Sequence, residues 1–317
     1  MRIVARTNGV GVDRDVRILT EALSVWTAPP AFSHYREIGP LRALVDGSNC
    51  EDCVIFLERV RARWLRRARR FLLIPNQERY AKRDIGLLAR VDHVLVKSQH
   101  AREVFSKHHP SVQYIGFTSI DRRLEGATPD YTRFFHLAGG SSLKGTAALI
   151  DVWARHPEWP VLTILYHRPD HIGRLPANIA LIRRYLPDEE LRAMQNAFGI
   201  HLCPSLGEGW GHAIVEGMSC GAAVVTTDAP PMNEIVGPDR GVLVPYRHSE
   251  PRKLGFSYYV DLDALEAAIE RLSAMPVEAK AALGRRARAW FETNDHGFRA
   301  VRSRVLADIL TTTAAMP

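Results

Sequence analysis

Short runs of β-branched and aromatic residues alternate along the chain with longer stretches whose apolar positions recur at helical spacing. In the first part the β-rich runs are Arg2–Arg6, Cys53–Leu57, Arg70–Ile74, His93–Lys97 and Val112–Phe117. Between them the periodicity predicts helices over Asp13–Val25, Arg59–Arg69, Arg79–Ala89 and His100–His108. The last follows Ser98, whose hydroxyl can accept from an N–H of the first turn. A polar stretch holding Gly126 and Pro129, Thr118–Thr132, interrupts the pattern and reads as a linker. Strands then recur over Phe134–Ala138, Val161–Tyr166, Ile179–Ile182, Gly199–Cys203, Ala223–Thr227 and Gly241–Val244. Helices fall over Gly145–Arg155, Asp188–Phe198, Gly211–Cys220 and Met232–Val236, and the chain closes on helices Leu262–Met275, Pro276–Phe291 and about His296–Thr311. Two rounds of strand and crossover helix predict two Rossmann-like, doubly wound α/β domains, residues 1–120 and 121–295, with a cleft between the carboxyl edges of their sheets.

Composition removes several classes. The 317 residues are 46% hydrophobic and 24% charged, which is globular rather than disordered. No apolar run approaches the ~18 residues of a membrane-spanning helix. Arg6 interrupts the N-terminus where a secretory signal needs apolar bulk, so a cytoplasmic protein is expected. Four cysteines do not make a disulfide scaffold. Cys50 and Cys53 have the spacing of half a zinc site, but no second pair follows, and no Asp-x-Asp pattern stands out. No metal is expected.

The net charge of +7 is unevenly placed: residues 1–130 hold 22 basic against 15 acidic residues, and the remainder balances at 20 and 20. The N-terminal half is therefore the one suited to face an anion. Its densest stretch, Arg59–Arg70, carries seven arginines in twelve positions. Wound as a helix, it would gather Val60, Trp64, Leu65 and Ala68 on one stripe. Such a face is either plainly solvated or a surface for anionic lipid at the inner membrane face or for a phosphate-bearing acceptor. No aromatic residues interleave the charge as nucleic-acid binding would want, so no nucleic-acid partner is expected.

The segment with most chemistry is Pro204-Ser-Leu-Gly-Glu-Gly-Trp-Gly-His-Ala-Ile-Val-Glu216, continuing through Gly217-Met-Ser-Cys-Gly221. A buried strand runs into a loop of small residues and then a helix. Glu208 precedes that helix and Glu216 lies inside it, about 7 Å along the axis at ~1.5 Å per residue. Between the carboxylates fall the backbone N–H groups of Gly211, His212 and Ala213, at the positive end of the helix dipole. A diphosphate on that helix start, with hydroxyl-seeking carboxylates on either side, matches a nucleotide-sugar. A second loop, His136-Leu-Ala-Gly-Gly-Ser-Ser-Leu-Lys-Gly145, offers N–H donors from Gly139, Gly140, Ser141 and Ser142 and the ammonium of Lys144 to a phosphate. A third, Asn8-Gly-Val-Gly-Val-Asp-Arg14, brings Gly9 and Gly11 after the first strand. It is a poor dinucleotide fingerprint, since Arg14 stands where the third glycine belongs, and this counts against an NAD enzyme.

Residues 204–221 closely resemble the E-x7-E region of retaining glycosyltransferases of the GT-B fold, family 4 type, with Trp210 in place of the usual Phe and Gly217 in place of Ala. The 136–145 loop resembles that family's donor-diphosphate loop, Lys144 matching its Lys while Gly140 or Ser141 stands where its Arg would be. The resemblance implies a retaining transfer of a hexose from a nucleoside diphosphate, UDP- or GDP-linked, to a saccharide or lipid-linked acceptor on the N-terminal domain, with no cofactor. It implies that Glu216 takes the ribose hydroxyls, that Gly211, His212 and Ala213 meet the diphosphate, and that Lys144 stabilises the departing phosphate. Glu208 with Gly209 and Trp210 would hold the sugar, and the last helix (about 296–317) would pack back on the first domain. Asn76 and Glu78, ending the Arg70–Ile74 strand, are candidates for orienting the acceptor. The family's N-terminal His has no match here, and His34, His93, His100, His108 and His109 are given no catalytic role. That gap and the absent Arg suggest one rival reading, a non-catalytic nucleotide-sugar-binding subunit; the nearest enzyme rival is another GT-B activity, such as a nucleotide-sugar epimerase.

Overall fold

The structure, a computed structural model, describes residues 1–7, 11–37, 51–168 and 175–312. It divides the chain into one unit of Met1–Ser119, Arg252–Gly255 and Asn294–Pro317, and a second of Ile120–Pro251 and Phe256–Thr293. Among the described residues no helix is long and apolar enough to cross a membrane.

The first unit is built on β1 (Arg2–Ala5), β2 (Ala31–His34), β3 (Glu51–Glu58), β4 (Ala68–Pro75), β5 (His93–Val96) and β6 (Val112–Tyr114). They lie in the order β2-β1-β3-β4-β5-β6, and every pairing is parallel. A parallel sheet must be covered on both faces, and its strands read accordingly as near-continuous apolar runs. Val54, Phe56, Leu73, Val94 and Val96 supply one side of a core that Trp64, Tyr80, Leu88 and Phe105 complete. Helix α1 (Gly11–Ser24) turns Ile18, Leu19 and Leu23 inward, and α2 (Gln99–Ser106) is capped by Ser98, whose Oγ accepts from Ala101 N at 3.1 Å. Residues 79–89 fold not as the expected α-helix but as a 3-10 segment, Lys82–Arg90.

The basic stretch corrects a larger expectation. Only Ala62–Trp64 is helical, as a single 3-10 turn, and β4 already begins at Ala68. Ala68 pairs with Glu51 and Arg70 with Cys53, so only residues 59–67 remain for the crossover from β3. Several arginines three and four apart would also repel along a helix. The apolar residues still anchor the segment: Val60, Trp64 and Leu65 are buried, and Trp64 Nε1 donates to Tyr35 O at 3.2 Å. Arg59 pairs with Asp84, Arg61 lies 4.2 Å from the Tyr35 ring centroid, and Arg70 donates to Ile309 O, while Arg63, Arg66 and Arg69 are exposed.

The second unit holds β7 (Asp130–Gly139), β8 (Leu162–Tyr166), β9 (Ile179–Ile182), β10 (Phe198–Cys203), β11 (Ala223–Thr227) and β12 (Gly241–Val244). Their order is β12-β11-β10-β7-β8-β9, again all parallel. Counted from β7, this is the 3-2-1-4-5-6 order of a doubly wound sheet, whose strand order reverses between β7 and β10. Helices α3 (Thr146–Arg155), α4 (Asp188–Ala197), α5 (His212–Ser219), α6 (Met232–Ile235), α7 (Leu262–Ala274) and α8 (Val277–His296) join or follow these strands. Trp153 fills the core against Phe134, ring centroids 5.5 Å apart and nearly edge-on.

Two boundaries move against expectation: β7 starts at Asp130, inside the predicted linker, and Phe198 opens β10 instead of closing α4. A two-stranded ribbon, β13 (Tyr246–Arg252) and β14 (Gly255–Val260), was not predicted, because Arg247-His-Ser-Glu-Pro-Arg252 reads as loop. Helix α8 does not stop at Phe291; it continues through a π-helical turn, Gly297–Arg302, into α9 (Ser303–Thr312). This C-terminal segment packs on the first unit. Phe298 meets Phe117 with centroids 5.2 Å apart, and Trp26 Nε1 donates to Ser303 Oγ at 2.8 Å.

Candidate functional site

In a doubly wound sheet, ligands bind outside the carboxyl ends of the strands where the strand order reverses. In the second unit that point lies between the loop after β7, residues 140–145, and the loop after β10, residues 204–211. These are the two glycine-bearing motifs of the sequence, and the fold brings them into contact. Leu206 N donates to Leu143 O at 2.8 Å, and Tyr258 N of β14 donates to Leu206 O at 2.7 Å, so the second loop is held from both sides. Gly145 has φ 73°, and a Cβ there would stand 2.0 Å from Pro204 O. Only glycine permits the two loops to approach this closely.

The contact delivers one side chain from each loop. Lys144 Nζ donates to Glu208 Oε1 at 2.6 Å, and Ser205 Oγ donates to the same oxygen at 2.7 Å. The pair is neither sealed nor fully exposed, with side chains 17% and 11% accessible. Beneath it, His136 is buried, its Nδ1 2.6 Å from Leu202 O and its Nε2 2.9 Å from Thr146 Oγ1. Burial pushes the His136 imidazole down to about 4, helped by the nearby Lys144 ammonium, so it is neutral at pH 7. Gly139, Gly140, Ser141 and Ser142 lie on the rim of this loop, where Ser141 N bonds back to Ala138 O and its Oγ accepts from Leu143 N.

Gly211 sits immediately before α5 at φ 103°, a left-handed conformation suited to glycine, and is buried with Gly209, Trp210 and Ala213, while His212 is half-buried. A helix leaves its first backbone N–H groups outside its own ladder, and those of α5 start beside Glu208, whose Cγ is 3.8 Å from a Cβ built on Gly211. Glu216, one turn and more into α5, shows 0% exposure. Its Oε2 accepts from Gln195 Nε2 at 3.0 Å, and Gln195 Oε1 accepts from Arg122 Nε at 2.8 Å. Gly217 is glycine for a local reason: a Cβ would lie 2.7 Å from Nδ1 of His201, a buried ring that burial also pushes down to about 4.

The first-unit candidates occupy the carboxyl end of β4. Asn76 Oδ1 accepts from Lys97 Nζ at 3.3 Å, and Asn76 Nδ2 donates to Glu58 Oε1 at 3.4 Å. Glu78 is buried, 3.7 Å from Arg79. Glu58 takes φ 64°, a left-handed conformation uncommon outside glycine, and burial pushes its carboxyl up. Gly11 opens α1; Gly9 and Cys50 lie outside the described residues. Sequence reasoning passed over Ser205, Gln195 and Arg122; the segment 182–186, which the sequence offers as a neighbour of the base, puts exposed Tyr185 on His167 with ring centroids 4.0 Å apart, at the carboxyl ends of β8 and β9. Ser205 alone had a signal, its place in the Pro-Ser pair; Gln195 and Arg122 are polar residues on segments that read as a helix surface and a linker.

No curated protein matches the sequence. Residues 175–290 match the family model for glycosyl transferases group 1. HepE from Anabaena, solved in complex with UDP-glucose, superposes at a TM-score of 0.71 with 13% identity, covering 99% of each chain. Sucrose-phosphate synthase from Thermosynechococcus elongatus gives 0.70 and 14%, covering 99% of this chain and all of that one. The chain covers 58% of the length of the matched chain of the GtfA/B complex, at a TM-score of 0.57 and 14% identity. Two six-stranded parallel sheets with these strand orders, together with the likeness to these solved structures, show the GT-B fold, and the second unit carries within it the stretch that matches the group 1 glycosyltransferases.

Proposed function

We propose that the protein is a retaining glycosyltransferase that moves a hexose from a UDP- or GDP-linked sugar to a saccharide or lipid-linked acceptor, without a cofactor or metal ion. The observation that carries this reading is the meeting of Lys144 and Glu208 at the reversal point of the second sheet. A cation and a carboxylate from two separate loops stand together beside a helix start. That is the charge pattern a sugar diphosphate needs: positive groups for the phosphates, a carboxylate for sugar hydroxyls.

In this mechanism Lys144 leaves Glu208 for the diphosphate, and the start of α5 at Gly211, His212 and Ala213 takes the remaining phosphate charge. The 139–142 loop lies along the same phosphates. Glu208, with the Gly209 and Trp210 backbone, then accepts from the hexose hydroxyls. Glu216 takes the ribose hydroxyls, which requires its buried carboxylate to be uncovered as the nucleotide enters. Ile182–Leu186, with Tyr185, flanks the base. The bond from the anomeric carbon to the phosphate oxygen breaks as the acceptor oxygen bonds to that carbon on the same face. The acceptor proton passes to the departing phosphate, whose growing charge Lys144 stabilises. Asn76 and Glu78 orient the acceptor in the first unit, and exposed Arg63, Arg66 and Arg69 give that unit a cationic surface for a phosphate-bearing acceptor or anionic lipid.

The test is turnover of a panel of nucleoside-diphosphate hexoses with simple sugar acceptors, followed by proton NMR of the product. The expected product keeps the donor's anomeric configuration. An inverted product would remove the retaining mechanism, and nucleotide-sugar binding without transfer to any acceptor would favour a binding subunit.

A further inference from the structure

Buried polar side chains cost free energy unless every end is matched, so a chain of them crossing a core marks a function for the arrangement. One such chain runs from the first turn of α4 to Glu216. The guanidinium of Arg122 donates through Nη1 to both carboxylate oxygens of Asp188, at 2.7 and 2.8 Å, and through Nη2 to Asp188 O at 2.9 Å. Its Nε donates to Gln195 Oε1 at 2.8 Å, and Gln195 Nε2 donates to Glu216 Oε2 at 3.0 Å. Arg122, Gln195 and Glu216 are all buried. Arg122 also holds α5 by its main chain: its N–H donates to Ser219 Oγ at 3.0 Å, and that hydroxyl donates to Glu216 O at 2.7 Å.

The chemistry of the chain leaves Gln195 one orientation. Its amide stands between a guanidinium, which only donates, and a carboxylate, which only accepts. Flipped, it would set its NH2 against Arg122 and its carbonyl against Glu216, losing both bonds. The cation thus selects the amide orientation, and the amide in turn commits Oε2 of Glu216 and fixes the plane of the carboxylate. Oε1 is then turned to a set direction. We propose that Gln195, oriented by Arg122, is the positioning residue that aims Glu216 at the vicinal hydroxyls of a nucleotide ribose. The proposal rests on Glu216 being the ribose group.

The experiment measures calorimetric dissociation constants of UDP, 2′-deoxy-UDP and pyrophosphate, with the guanosine pair run in parallel. The proteins are the wild type, Gln195→Met, Gln195→Glu and Glu216→Gln. A hydrogen bond to a charged group is worth roughly tenfold or more in affinity. The wild type is expected to prefer the ribo form by about tenfold. In Gln195→Met and Gln195→Glu the preference falls toward one, while pyrophosphate affinity holds within about twofold. Should one variant fail to fold, the other carries the comparison. A preference kept by the folded Gln195 variants but lost in Glu216→Gln overturns the inference and leaves the ribose role intact. Equal losses for all three ligands would make Gln195 a structural residue only. A wild type indifferent to the 2′-hydroxyl, with Glu216→Gln unchanged, removes Glu216 from the ribose and the inference with it.

Discussion

Each unit places a lysine and a carboxylate in contact at the carboxyl edge of its parallel sheet, yet the two pairs are built for different work. In the first unit Lys97 Nζ lies 2.5 Å from Asp15 Oδ2, with side chains 2% and 5% exposed. It also reaches Asn76 and lies 4.5 Å from the Phe117 ring centroid. The packing leaves it no room to exchange partners. In the second unit Lys144 and Glu208 are as close, but stay partly open to solvent at the end of a glycine-rich loop. An ion pair that a ligand is to break must not be desolvated on all sides, or the exchange costs more than the phosphate returns. Burial separates a pair that holds the fold from one poised to trade its partner.

The largest effect that would break this comparison lies in the sealed pair. Lys97→Met leaves the Asp15 carboxylate buried without its cation and should lower unfolding free energy by about 3–5 kcal/mol in urea titrations. Adding Asp15→Leu should recover most of that loss, because two well-packed apolar groups can replace a buried pair. A loss under about 1 kcal/mol would show that Lys97 is as exchangeable as Lys144.

Per group, and over the span from pH 7 to 5, a somewhat smaller effect concerns two buried imidazoles of the second unit. His136 and His201 are held neutral, each pushed from 6.5 down to about 4 by burial. The unfolded chain binds these protons near pH 6.5 and the folded chain only near 4, so stability rises with pH across that window. The protein should therefore be fully stabilised by these groups above pH 6.5. It should lose stability as pH falls toward 4, by about 1.4 kcal/mol for each pKa unit of each group. Urea unfolding at pH 7, 6 and 5 measures it, and His136→Gln should flatten the slope. A slope unchanged by that substitution would place the acid sensitivity elsewhere.

The two regions were also unequally legible. Both sheets show in the alternation of apolar runs, because a strand buried on two faces has few choices of residue. The donor loops show as well: a strand, small residues and then a helix, with Lys144, Glu208 and Glu216 at fixed spacing, is a local pattern. What escaped was set by distant partners. The helical spacing of Arg59–Arg69 could not reveal that pairing of Ala68 with Glu51 leaves too few residues for a helix. Strand β2 is short, and β13 is polar throughout, so neither shows an apolar period. Gln195 and Arg122 lie 73 positions apart, and only the folded chain sets them on Glu216 in series. Gly217 in place of the usual Ala likewise has a distant cause: the His201 ring fills the space its methyl would take.

The central claim is that Lys144 gives up Glu208 for a diphosphate, and its most direct test is the calorimetric affinity of UDP and GDP for wild type, Lys144→Met and Glu208→Gln. Lys144→Met should weaken the preferred nucleotide by roughly 10- to 100-fold, the worth of a hydrogen bond from a charged donor. Glu208→Gln, which removes the competing carboxylate, should bind it at least as tightly as the wild type. Equal affinities for wild type and Lys144→Met, or a weakening in Glu208→Gln as large as that in Lys144→Met, would contradict the exchange.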